Sequence, residues 1–252
     1  MKRETQNILL ILLGGALVKI AVNGDYLRYV KPAQQPWIIA GGAVMVVLGA
    51  VAVARDLLAA RAKAPATDSH DSHDSHDSHD GYDHTHPARP AWLLLVPVLA
   101  VFLVAPPALG ADSVIRTEAR VPASAAAANA AAFPPLPAGN VVPLSVNEFV
   151  SRAGWDKAGT LDGRTVSLTG FVVHAEGRTL LARLVISCCA ADAFPVTVRL
   201  TGTEAARYAS DAWIQVTGQV VPGTATRANS YTPDFTAASV ATVPAPKDPY
   251  EY

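Results

Sequence analysis

The chain has 252 residues, enough for one or two domains; half are hydrophobic and only 16% are charged. Soluble domains carry roughly a quarter charged residues, so the composition points to a bilayer. A net charge of −1 excludes a general nucleic-acid binder, which needs a basic face for phosphates, and two cysteines cannot form a disulfide framework.

Crossing a bilayer takes about 20 mostly apolar residues, and three segments approach that length. The first begins at Ile8, is cleanest to Val22 and extends to about residue 29. The second runs from Trp37 to Ala54, and the third, within 91–110, from Trp92 to Leu109 with Pro97, Pro106 and Pro107 inside it. Trp37 and Trp92 open their segments, where an amphipathic ring suits the headgroup level. Met1-Lys2-Arg3 before an apolar run resembles a signal peptide. No small-x-small cleavage site follows and a second apolar run soon arrives, so an uncleaved anchor is expected. Lys19 is expected to snorkel to the far interface, the alternative being a polar contact with a partner. Gly14-Gly15 and Gly41-Gly42 would let helices approach closely.

Flanking charge sets orientation. Lys2, Arg3, Arg55, Arg61, Lys63 and Arg89 fall on one side, against Arg28, Lys31, Arg116 and Arg120 on the other. This bias predicts a multi-pass plasma-membrane protein with a cytoplasmic N-terminus and an extracytoplasmic C-terminal domain.

Between the second and third segments, residues 64–90 form a linker containing DSHDSHDSHDSHDGYDHTH. It lacks the apolar residues for a core and is expected to be disordered when free. His70, His73, His76, His79, His84 and His86, with Asp71, Asp74, Asp77, Asp80 and Asp83, offer imidazole and carboxylate ligands to zinc or another divalent transition metal. Such a chain suits buffering or delivery rather than catalysis; a solvated spacer grown by repeat expansion is the alternative. On the expected topology the linker is cytoplasmic.

Residues 111–139 read as an Ala/Pro-rich tether, 140–245 as a β-rich domain and 246–252 as a tail. Ser145 and Glu148 fit a capping box, predicting a helix to about Lys157. Strands are expected over Thr165–His174, Leu180–Cys188, Pro195–Leu200 and Trp213–Val221, and around Ala237–Val243. Five short strands with turn signals and glycine in two of them suggest a small OB-like barrel. The expected fold class is therefore three transmembrane helices followed by an OB-like β-barrel.

In a regular strand, Cys188 and Cys189 would face opposite ways. A turn at the strand end would instead bring a thiol together with Asp192 and His174 as a zinc or copper site. The other readings of the pair are a structural core position and a redox or intermolecular disulfide.

Two apolar segments separated by Tyr-x-x-Tyr-Val-x-Pro (Tyr26 to Pro32), a His-rich connector, a third segment, Gly-Phe-Val-Val-His and Arg-Leu-Val-Ile-Ser-Cys-Cys-Ala-Ala-Asp-Ala together resemble the YcgQ-type permease-subunit family. The resemblance covers essentially the whole chain. It implies an accessory subunit beside a multi-spanning YcgR-type permease, with a link to metal homeostasis, and it names no solute. The Asp-Ser-His repeat lies outside it.

The leading expectation is thus a non-enzymatic accessory subunit in metal-ion (zinc-like) transport, with the lipid bilayer and the permease as partners and no nucleic acid. A standalone metal buffer or sensor is the first alternative and a thiol-disulfide enzyme the second. No Gly-x-Ser-x-Gly, phosphate loop or His-Glu-x-x-His occurs in the chain.

Overall fold

A run of leucine, isoleucine and alanine with few competing side-chain hydrogen bonds makes α1 (Arg3–Asn23), and a longer one makes α2 (Gln35–Ala62). The computed structural model describes residues 3–62, 95–104, 106–117, 133–202 and 204–252. The chain divides into two units, one of Met1–Asp25 with Ala33–Pro106, the other of Tyr26–Pro32 with Pro107–Tyr252.

In the first unit, α1 and α2 meet at the expected glycines. A Cβ on Gly14 would lie 2.7 Å from Gly42 O, and one on Gly42 2.8 Å from Gly14 O, whereas Gly15 and Gly41 face open space. Gln6–Asn23 and Pro32–Ala59 are long and apolar enough to cross a membrane, and only 17% and 11% of them is buried. The third expected span differs. Its described helix, α3 (Leu95–Leu103), has nine residues and so rises only about 14 Å. Among the described residues two helices, not three, have spanning length. Pro106 and Pro107 follow α3 in non-helical chain, since proline removes the amide a further turn needs.

The second unit begins in sequence with the short Tyr26–Pro32 segment and continues with α4 (Ala111–Arg116) and α5 (Val146–Trp155). Ser145 caps α5, its Oγ accepting from the Glu148 amide at 3.0 Å. Glu148 itself turns to Arg152, whose Nε lies 3.0 Å away. Ser145→Ala is expected to cost about 1 kcal/mol, measured as a lowered unfolding midpoint.

The strands are β1 (Val142–Pro143), β2 (Val166–Ala175), β3 (Arg178–Val185), β4 (Phe194–Thr201), β5 (Trp213–Val221), β6 (Asp234–Thr242) and β7 (Tyr250–Glu251). The five expected strands are joined by two more, and the whole is one seven-stranded sheet. Its order is β1-β2-β5-β6-β4-β3-β7, with a further pairing between β2 and β3. Glu251 lies in the segment expected as a tail and pairs in parallel with Val185.

Alternation splits the apolar residues between two cores. Leu168, Val172, Leu181, Val198 and Val216 pack with Phe149 and Phe235, whose rings meet edge-to-face at 5.5 Å. Phe171, Val173, Ala182, Leu184 and Ile186 pack on the other side with Ala111, Val114 and Tyr250. The unbroken apolar look of Phe171–Val173 follows, because both faces there are covered.

Candidate functional site

Beyond β3 the chain leaves the sheet. Strand pairing stops at Val185, and the Ile186 amide still donates to Glu251 O at 3.0 Å. Asp192, at the end of a single 3-10 turn (Ala190–Asp192), then gathers the loop. Its Oδ1 accepts from the Ser187 amide at 2.9 Å and its Oδ2 from the Cys188 amide at 2.8 Å. Cys188 therefore sits in a bend and Cys189 in extended backbone beyond the end of β3, so the regular strand in which the two side chains would face opposite ways is not formed. Their sulfurs lie 3.7 Å apart, both thiols are free, Cys188 is exposed and Cys189 half-buried.

The two sulfurs and an Asp192 oxygen all lie within 4.8 Å of one another. With Zn–S near 2.3 Å, two thiolates on one tetrahedral ion stand about 3.8 Å apart, so the sulfurs already have chelating separation. The hydrogen bond to Asp192, then that to Cys189, pushes the Cys188 thiol up to about 11. For Asp192, desolvation is the largest single effect and opposes ionisation. Bonds from the Cys188 thiol and the Ser187, Cys188 and Cys189 amides outweigh it and hold the carboxyl below its usual range. The resting site thus sets a neutral Cys188 thiol beside the Asp192 carboxylate, and metal binding through that sulfur must release its proton.

The outer edge of this loop is supplied by Tyr26–Pro32. Ala190 N–H donates to Tyr29 O at 2.7 Å, Lys31 N–H to Cys188 O at 3.3 Å, and Val30 and Cys189 form an isolated antiparallel bridge. Tyr250 Oη donates to Arg28 O at 3.0 Å, and Tyr26 is buried. The Tyr-x-x-Tyr-Val-x-Pro signature is the segment that makes these contacts, a role its sequence did not disclose.

His174 is not in this group. Its Nε2 is 2.8 Å from Tyr208 O, which only accepts and so places the proton on Nε2, and Nδ1 is 3.4 Å from Thr179 Oγ1. The linker histidines and aspartates (residues 70–86) lie outside the described residues.

Two further features have no role that the sequence pattern assigned. Arg183 is buried, donating to Tyr250 O at 3.0 Å with its guanidinium 4.9 Å from the Trp213 ring centre and Nε 3.4 Å from Glu251 Oε1. Burial pushes the Glu251 carboxyl up, against the opposing effects of the Asn147 amide, Arg183 and the Val146 amide. A cleft of about 730 Å³ also opens between Pro107–Asp112, Phe171, Trp213 and Lys247.

Residues 5–118 match the DUF1980 N-terminal domain and residues 155–252 the DUF1980 C-terminal domain. A search of the curated proteins found no match.

Proposed function

We propose that this chain, built from the N- and C-terminal domains of DUF1980, a family of unknown function, is a membrane-anchored, non-enzymatic metal-handling subunit that works beside a multi-spanning permease of the YcgR type. The observation that carries the reading is the Cys188–Cys189–Asp192 group, three donors of a kind and spacing that suit zinc. The helices make a poor permeation path alone, because a transporter needs polar groups at the midplane and more spans. A partner must therefore move the ion.

We read a three-crossing topology from the connectivity. If α1 and α2 both span, Tyr26–Pro32 emerges on the side opposite the N-terminus. That segment is hydrogen-bonded into the sheet unit, so the sheet shares its side. On that premise α2 ends on the N-terminal side, and this reading takes the chain across once more through the apolar stretch Trp92–Leu109. The His/Asp linker and the cysteine site then lie on opposite faces, the linker in the cytoplasm by the charge bias. The pairings β2–β3–β4–β6–β5–β2, with only β4–β6 parallel, support an OB-like reading of the five central strands.

Cys188 and Cys189 are the only cysteines, so they report the topology themselves. In right-side-out vesicles a membrane-impermeant maleimide is expected to label them, while a tag inserted in the linker stays protected from protease. Protection of both, or access to both, overturns the three-crossing reading. For the subunit reading, gentle solubilisation and quantitative mass spectrometry should recover one multi-spanning protein at near-equal abundance. Purification of the chain alone from membranes that contain such a permease overturns it in favour of a standalone buffer.

A further inference from the structure

The donor group is incomplete. A closed structural zinc site uses four protein ligands, and a reactive one uses three plus an exchangeable position. Here there are two sulfurs and one carboxylate, and among the described residues no other histidine, cysteine, aspartate or glutamate joins them. The carboxylate is partly committed already, each oxygen accepting a backbone amide. The pair is nonetheless positioned: Asp192 holds the loop from within, and the Tyr29 carbonyl and Lys31 amide hold its outer edge. Little reorganisation is needed to bring both sulfurs to one ion, and the exposed Cys188 leaves that ion open to solvent. Val30, the residue bridged to Cys189, stands between Asn23, which ends α1, and Gln35, which starts α2.

We propose that Cys188, Cys189 and Asp192 form a hand-over site, which holds a divalent d10 ion through two sulfurs and keeps a coordination position open for a donor side chain of a membrane-embedded partner. This rests on the metal-handling reading above and specifies how that site works. On loading, each thiol gives its proton to solvent as its sulfur–metal bond forms, with no change of oxidation state. On release, the incoming donor binds first at the open position. The two sulfur–metal bonds then break, and the thiolates take protons back from solvent. An ion held this way leaves by associative exchange, whereas one in a closed four-ligand shell must dissociate before another ligand can enter.

Cadmium is the probe, because its ultraviolet charge-transfer band arises from thiolates and is silent for the linker histidines. Full-length protein in detergent, loaded with one equivalent, is expected to show the band. The cadmium-113 resonance should report two sulfurs per ion, and removal by a small chelator should rise in proportion to chelator concentration. Cys188→Ser with Cys189→Ser should abolish the band without altering the unfolding midpoint of the apo protein. A band whose loss rate is independent of chelator, or four sulfurs per ion from two chains sharing it, overturns the hand-over site while metal binding by the cysteines survives. Absence of any band in correctly folded wild type removes the metal-handling reading of the cysteine group altogether.

Discussion

Replacing Arg183 with methionine is expected to cost the sheet unit about 3–5 kcal/mol, the range for breaking a buried ion pair from one side, read as a fall in the denaturation midpoint. Methionine keeps much of the volume beside Trp213 but removes the charge. Glu251 would then remain buried, with only the Val146 and Asn147 amides, at 3.0 and 2.7 Å, to receive it. Those amides open α5, whose N-terminal dipole favours an anion, but that contribution is only about 0.3–1 kcal/mol at ordinary sites. The pH dependence separates lost charge from lost packing. Burial holds the Glu251 carboxyl above its unfolded value even with Arg183 present. A group raised in this way contributes stability that is full below its unfolded pKa and is lost as pH rises through the folded one. Without Arg183 the carboxyl rises further, so the deficit of the variant should be smallest in mild acid and grow toward neutrality. Adding Glu251→Gln should recover part of the loss near neutral pH. A deficit equal at every pH would assign the effect to packing.

The parts legible in the sequence are those written in side-chain periodicity. The apolar runs anticipated α1 and α2, the glycines their crossing, and Ser145 the start of α5. Alternation located β2, β4 and β5 within a few residues. The parts not legible are held by the main chain. Two-residue strands such as β1 and β7 carry no period to detect. Tyr26–Pro32 reaches the cysteine loop largely through amides and carbonyls, which every sequence possesses. The strand expected over Leu180–Cys188 ends instead at Val185: Ile186, Ser187 and Cys188 prolong a strand-like pattern without pairing as one. Nothing in that pattern announces that Asp192 will draw the Ser187 and Cys188 amides out of register. Placing His174 with the thiols failed for a related reason: it lies in β2 and its imidazole is bound to Tyr208 O. The third apolar run was legible as composition, but its described helix, α3, has only nine residues and falls short of spanning length.

Gly218 in β5 is the site where a single methyl group should do most harm. The register of β5 against β6 shifts between Thr217 and Gly218. The strands close up there until a Cβ on Gly218 would overlap Thr236 O and come within 2.9 Å of Phe235 Cε1 and 3.0 Å of Ala237 Cα. Two of those neighbours are backbone atoms, and Phe235 is fully buried against Phe149. No side chain can simply rotate away. To admit the methyl, β6 must move outward, which weakens the bonds of Thr236 and Phe235 across to β5 and strains the parallel pairing of Leu200 with Phe235 on β4. Gly218→Ala is therefore expected to cost about 3 kcal/mol, the upper end for overpacking, against a total of roughly 5–15 kcal/mol for a typical domain. Denaturant unfolding of the full chain would measure the cost. Hydrogen exchange should show the β6 amides losing protection before those of β3. A shift below about 0.5 kcal/mol, the ordinary size for a neutral surface change, would mean that the two strands do not approach as closely as this register requires.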